Sequence, residues 1–461
     1  MDSSTDRIAD FCSALAFADL PAGVIRDCKR RIIDTVGCGL GALDSEPSRI
    51  ARRVALRATV ARGACVLGTN HRTLAEAAAF ANGVTMRYLD ANDAFPGGGG
   101  HPSDVIAPVL AAADAAGAGG EIAITATIVA YEVYHQFWRS MIDEEKKVDV
   151  VRGMGFDHVL YTVIASAAGA AKAMGLGRAQ IANALSLAIA PYLPLYVTRR
   201  GNLSMWKGCA AGNAARNGVF AAVLSAEGIN GPESPIEGVQ GLRDLFGRFN
   251  LGPFGGGERP FRISDSGLKF HPAEYHAQSP ITAALQLPSR VAVKDIDTVT
   301  VYSYLHAVNE IGAEAERWHP STRETADHSM AFIVAAILVH GKFSDEIFSP
   351  ENLRHPVVNE LVDRVSIKED PDLTRKFPQA FPCRIEIVTR DGQRKIAATD
   401  FPRGHHQNPM TDDEINTKFR GFAGRVLTRE QKESALDQLW NLEKAATLIN
   451  LFESMRSTAV K

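Results

Sequence analysis

Gly100-His101-Pro102-Ser103-Asp104 follows Asp90-Ala91-Asn92-Asp93 across a glycine run from Gly97 to Gly100. Two more polar islands lie far downstream. One is Met205-Trp206-Lys207, and the other is Leu268-Lys269-Phe270-His271-Pro272-Ala273-Glu274-Tyr275-His276-Ala277-Gln278. Each island sets ionisable side chains in a stretch that is otherwise small or apolar. A lysine there is costly unless an anion pairs with it. Brought together, the islands would form a cationic pocket with acid–base groups, suited to a small polycarboxylate.

Each island also has a plainer reading. His101 opens an Ala-rich segment, where Ser103 or Asp104 could cap a helix and the open N–H groups could receive a carboxylate. The positive end of a helix opposes protonation of an imidazole, and a neutral imidazole is what a general base requires. A capped turn with a surface histidine fits the same spacing. In Phe156-Asp157-His158, Asp157 can be an N-cap or His158 a pocket residue. Arg199 and Arg200, in Thr198-Arg199-Arg200-Gly201-Asn202, can be solvated or can clamp carboxylates. Lys207 precedes Gly208-Cys209-Ala210-Ala211-Gly212, which is too small to shield a long side chain. A lone Lys–Glu pair is worth little, but Lys269, His271, Glu274 and His276 form a denser group at a domain boundary. His405-His406 reads as loop surface. No HxxxH or HxH spacing supports a metal site.

The elements that must position these groups are mostly helices. Helical periodicity spans Ile8 to Phe17, Gly23 to Leu40, Val105 to Ala116, Glu121 to Phe137, Leu160 to Met174, Arg178 to Ala190 and Asn213 to Glu227. Gly231 to Gly257 is punctuated by Gly and Pro, which places a boundary near residue 260. Strand signals follow at Ile296 to Tyr304 and Val362 to Lys368. Cys383 to Ala397 reads as a hairpin turning at Asp391-Gly392. Ser329 to His340 is a helix between them, and Thr411-Asp412-Asp413-Glu414 has capping-box form. The expected fold is mainly α: a helical domain over 1–260, an α+β domain over 261–404, and helices over 405–461 packing back on the first.

The 461 residues are 46% apolar and 22% charged, which fits a globular protein with a large core. A net charge of -3 with scattered Lys and Arg argues against nucleic acid and anionic membrane as partners. The opening residues lack the pattern of a signal peptide, and no apolar run reaches the ~18 to 20 residues of a spanning helix. A soluble, cytoplasmic protein is expected. The six cysteines form no CxxC or zinc-like spacing, so they read as packed thiols of a reducing compartment, without an iron–sulfur cluster.

At these same residues the chain resembles the MmgE/PrpD family over nearly its whole length. The matching segments are Gly-His-Pro-Ser-Asp after the Asp-rich stretch, Phe156-Asp157-His158-Val159-Leu160, Trp206-Lys207-Gly208, and Leu268-Lys269 with Pro-Ala-Glu-Tyr-His-Ala-Gln. Asp327-His328-Ser329-Met330, Pro409-Met410-Thr411 and Lys418-Phe419 complete them. The family's activities include 2-methylcitrate dehydratase, cis-aconitate decarboxylase and iminodisuccinate epimerase. The wording is nearest the first, and the decarboxylase branch tends to carry a His where this chain has Glu274. The resemblance implies a helical domain closed by an α+β lid, a homodimer, and no required metal, cluster or other cofactor. It also implies Asp90, His101, His158, Lys207 and Lys269 as pocket residues. The family often reads Asp-x-Asp-Asp-Thr where this chain has Asp90-Ala91-Asn92-Asp93-Ala94, a departure that bears on the substrate.

The expected function is a metal-independent lyase that dehydrates a small hydroxy-polycarboxylate such as 2-methylcitrate. His101 would transfer the proton, Asp90 would tune it, and His158 would protonate the leaving hydroxyl. Lys207 and Lys269 would hold carboxylates, with Arg199, Arg200, Ser103, Asp93, Glu274 and His276 lining the substrate. The alternatives are a decarboxylase or epimerase on the same scaffold, or a non-catalytic polycarboxylate-binding protein.

Overall fold

The structure is a computed structural model that describes residues 1–143, 148–201, 203–287 and 291–457. Asn202 of the basic loop lies outside them. Along the chain, the helices that matter here are α1 (Ser3–Ala14), α2 (Ala22–Gly41), α3 (Ala75–Arg87), α4 (Ile106–Ala116), α5 (Gly120–Ser140), α6 (Val159–Ala173), α7 (Arg178–Ile189) and α8 (Trp206–Ala226). There follow α9 (Gln278–Leu285), β1 (Ile296–Ser303), α10 (Met330–His340), α11 (Pro356–Val362), β2 (Val365–Glu369), β3 (Cys383–Thr389), β4 (Arg394–Thr399), α12 (Asp412–Ala423) and α13 (Arg429–Trp440). The protein is thus mainly α, with one small mixed sheet in its later part.

The chain divides into two compact units. The first comprises Met1–Thr198, Gly208–Ser266 and Thr411–Lys461. Its core is built from the Ala-rich helices α4, α5 and α6, whose small side chains let the helix axes approach closely. Helix α12 lies on α2, where Phe419 seats against Gly37. A Cβ at Gly37 would stand 3.1 Å from Phe419 Cδ2, so the bare backbone is what admits the ring. The α12 N-terminus carries the expected capping box. Thr411 accepts from the Glu414 N–H at 3.2 Å, and Glu414 accepts from the Thr411 N–H at 2.7 Å.

The second unit comprises Arg199–Lys207 and Gly267–Met410. Its four-stranded sheet has the order β2-β1-β3-β4; β1 and β2 are parallel, and the other pairs antiparallel. Cys383, Ile385, Ile387 and Thr389 of β3 alternate inward, under α9, while α10 packs on α9 and β2. The β3–β4 hairpin turns at Asp391-Gly392, where Gly392 takes a φ of 83°. Helix α10 is buried on nearly every side and is capped by Ser329, which accepts from the Phe332 N–H at 3.1 Å.

Some local expectations need correction. Val362 ends α11 rather than starting a strand, because β2 begins only at Val365. Helix α3 and the helix Glu46–Ala55 went unread. α3 is buried around most of its circumference, so it has no apolar stripe to find. His405 is not loop surface: it is buried, and burial and the neighbouring His406 push its pKa down to about 4. Among the described residues no helix is long and apolar enough to cross a membrane. Burial pushes the Cys12 and Cys65 thiols up to about 12, and those of Cys28 and Cys383 higher still, which suits packed rather than reactive thiols.

Candidate active site

In the first unit, Asp90, Asp93, His101, Ser103 and His158 are held in one network. Helix α3 ends at Arg87, and the chain then turns through Asp90 at a φ of 51°, a left-handed conformation that Asp tolerates better than most residues. That turn sends the Asp90 carboxylate back to Arg87, whose Nη1 donates to Oδ1 at 2.6 Å. The Arg87 Nε is also 3.7 Å from Asp104 Oδ1. Asn92 Nδ2 donates to Ser103 Oγ at 2.8 Å and to Asp104 Oδ1 at 3.5 Å. Asp93 Oδ1 accepts the Ser103 N–H at 2.9 Å, and its Oδ2 accepts the Tyr131 hydroxyl at 2.9 Å. All these carboxylates are buried.

This network defines His101. Its Nδ1 lies 2.8 Å from the Asp93 carbonyl oxygen, which can only accept, so Nδ1 carries the hydrogen. In the neutral ring Nε2 then holds the lone pair, 3.9 Å from Asp90 Oδ1. Ser103 and Asp104 do not cap a helix with their side chains, contrary to expectation. The turn Pro102–Val105 comes between His101 and α4, and the donor that needs a cap, Ser103 N–H, is taken by Asp93.

Asp157 stands one residue before the N-cap of α6, which is His158. Its Oδ1 accepts the Val159 N–H at 3.3 Å at the start of α6 and meets His158 Nδ1 at 2.9 Å. The carboxylate thereby fixes the His158 tautomer, with Nδ1 protonated and Nε2 as the exchanging atom. The His101 and His158 rings stand 5.6 Å apart, nearly edge to face. Gly100 makes room for them. At its φ of 65°, a Cβ would come within 2.5 Å of His158 Cδ2 and 2.4 Å of the Tyr134 hydroxyl. The glycine run thus serves close packing as well as turning. Two imidazoles with fixed tautomers can take a proton and give one.

In the second unit, Lys207 is buried and its Nζ lies 3.4 Å from Asp327 Oδ1. Arg323 Nη1 lies 3.3 Å from Asp327 Oδ2, and His328 Nδ1 also contacts the Asp327 carboxylate. Two permanent cations, Lys207 and Arg323, thus flank the Asp327 carboxylate. The Asp327 carbonyl accepts the Glu274 N–H at 3.0 Å, which ties the Glu274 segment to this cluster. Glu274 itself caps the turn Tyr275–Ala277, accepting the His276 N–H at 2.5 Å. Lys269 is fully buried.

Three expected binding residues sit in more ordinary places. The His276 ring lies among His306, Phe377 and Phe381, and its Nδ1 meets the Tyr304 hydroxyl, which is the setting of a core histidine. Arg200 is exposed and pairs with Glu314 at 3.0 Å, a surface ion pair of small worth. Arg199 Nη1 donates to the Lys207 carbonyl at 3.3 Å, and so braces the loop before α8.

The sequence reading did not name Arg87, Tyr131 or Arg323, and it gave Asn92, Asp104, Asp327 and His328 no place in the site. Arg87 had a findable signal, since it stands three residues before Asp90 at a helix end. Asp327-His328 carried one too, as a charged pair directly before the apolar run of α10.

The MmgE/PrpD N-terminal domain model matches residues 6–250, and the MmgE/PrpD C-terminal domain model matches residues 271–442. The chain is similar to the 2-methylcitrate dehydratase-like protein oryR of Aspergillus oryzae, 30% identical with 94% of this chain and 92% of that protein covered. It is similar to the 2-methylcitrate dehydratase of Cupriavidus necator, also 30% identical, over 93% of this chain and 92% of the relative. To the human cis-aconitate decarboxylase it is 24% identical, over 96% of this chain and 92% of that protein.

Proposed function

The chain belongs to the MmgE/PrpD family and is 2-methylcitrate dehydratase-like, and on that premise we propose that it removes water from a small hydroxy-polycarboxylate such as 2-methylcitrate. The single observation carrying this reading is the His101–His158 pair, two imidazoles with their rings 5.6 Å apart and each Nδ1 held by an acceptor.

Elimination breaks a C–H bond beside a carboxylate and a C–O bond on the next carbon, forms the double bond and releases water. His101 Nε2 takes the carbon-bound proton, and Asp90 stabilises the imidazolium that results. His158, entering as the imidazolium paired with Asp157, gives its Nε2 proton to the departing hydroxyl and is left as the neutral Nδ1–H ring. Lys207 and Lys269 bind carboxylates and take up the charge that develops on the one next to the reacting carbon. These roles need side chains alone, so we propose that the reaction requires no metal. The test is turnover of purified protein with 2-methylcitrate and citrate in the presence of a chelator. Absorbance from a new double bond is expected, and its absence for every hydroxy acid tried would sink the reading.

The match to the human relative favours decarboxylation of cis-aconitate as a second reading, since that chemistry needs only a proton donor and a charge sink. Carbon dioxide release distinguishes it. We further propose a cytoplasmic homodimer. The exposed apolar run Leu193, Leu195 and Val197 supports self-association.

A further inference from the structure

We infer that Lys418 is a positioning residue for Asp90 and His101, acting from α12 through the backbone of Ala91. Its ammonium donates to the Ala91 carbonyl at 2.6 Å and pairs with Asp34 Oδ1 at 2.7 Å. The Lys418 side chain is 8% exposed and that of Asp34 is 0% exposed, so both charges are out of water. Phe419, the next residue, is seated on Gly37, three positions after Asp34 on α2. The reach of Lys418 is therefore set by a rigid helix-on-helix contact.

An ion pair with Asp34 would by itself satisfy Lys418. The second contact falls on a consequential atom. Ala91 joins Asp90, whose carboxylate faces His101 Nε2, to Asn92 and Asp93, whose carbonyl holds His101 Nδ1. Pinning the Ala91 carbonyl fixes the peptide plane just past the left-handed turn at Asp90, and so the direction of the carboxylate. Among the described charged groups that act on Asp34 besides Lys418 are Asp93 and Arg31. Burial raises the Asp34 pKa and Lys418 opposes it, so the pair is mutually dependent. The inference rests on the proposed role of Asp90 and His101 in proton transfer, but its test does not need turnover.

The test compares wild type with Asp34→Asn/Lys418→Met, in which neither buried charge remains. Amide exchange over residues 88–95 is expected to rise by about tenfold or more, and exchange within α4 to stay unchanged. The His101 ring resonance is expected to titrate at a different pH from wild type. In a protein that turns over, kcat should fall roughly 10- to 100-fold while KM stays within about threefold, since a small misplacement of a catalytic group costs that much. Lys418→Arg should recover part of the loss. Wild-type exchange over 88–95 with an unmoved His101 titration overturns the inference. So does raised exchange with unchanged kcat. If the double variant does not fold, Gly37→Ala shifts the seat of Phe419 with both charges kept. Faster exchange over 88–95 is expected there too, and unchanged exchange overturns the inference. Absence of turnover in wild type would refute the proposed function and leave the exchange and titration results to decide this one.

Discussion

His101 is defined by one backbone carbonyl. With Nδ1 committed to Asp93, its other nitrogen has the form of a base, and His101→Ala should lower kcat by ~10²- to 10⁴-fold, read in a steady-state assay. Asp157→Asn tests the second imidazole. An amide can present its N–H to His158 Nδ1 and reverse the tautomer, so kcat should fall by roughly 10²-fold with the fold intact by circular dichroism. Away from these groups, Glu132 of α5 is buried and accepts the Gly255 N–H at 2.9 Å and the Arg262 N–H. Burial raises its pKa to about 7, although both hydrogen bonds pull the other way. A raised carboxyl pKa means that the folded state binds the proton more tightly than the unfolded chain. Its contribution to stability is therefore full below the usual carboxylate range and declines as pH rises toward 7. The melting temperature of wild type relative to Glu132→Gln should fall between about pH 4.5 and 7; a flat difference would refute this. At this scale the sequence exposed the residues that form motifs, such as His101 and Asp90. It hid the groups that hold them: Arg87 and Tyr131 are buried polar groups whose meaning lies in contacts that local spacing does not encode.

Among the elements, the helices with one apolar face and clear punctuation were legible, and so was the hairpin at Asp391-Gly392. Helix α3 was not, because burial on most sides removes the periodicity, although α3 sets the position of Arg87 and Asp90. The contact of α12 on α2 was equally hidden, since nothing in the local sequence of Gly37 says which ring lies over it. That contact can be tested by crowding it. In Gly37→Leu the added side chain meets Phe419, whose Cα already lies 3.2 Å from the position of a Cβ. Overpacking of this kind costs about 1–3 kcal/mol, so denaturant midpoints should drop accordingly. A wild-type midpoint would mean that the two helices are looser than their contact suggests.

For the whole molecule, the N-terminal family model ends at residue 250, yet the first unit also takes in Thr411–Lys461. A chain ended after Met410 would leave Asp34 buried without Lys418 and the Gly37 side of α2 uncovered. It should lose cooperative unfolding of the first unit by calorimetry. Light scattering of the full chain should give twice the monomer mass if the proposed homodimer forms. The return of α12 also has a consequence in time. On a ribosome, Lys418 emerges about 150 residues after the first unit's earlier segments are complete, a delay of roughly 8 to 30 s at ordinary elongation rates. Through that interval Asp34 waits without its counter-charge and the Gly37 side of α2 stays bare. A nascent chain therefore carries an uncovered apolar face on α2, and its Asp90–Asp93 segment lacks the Ala91 contact until Lys418 has emerged.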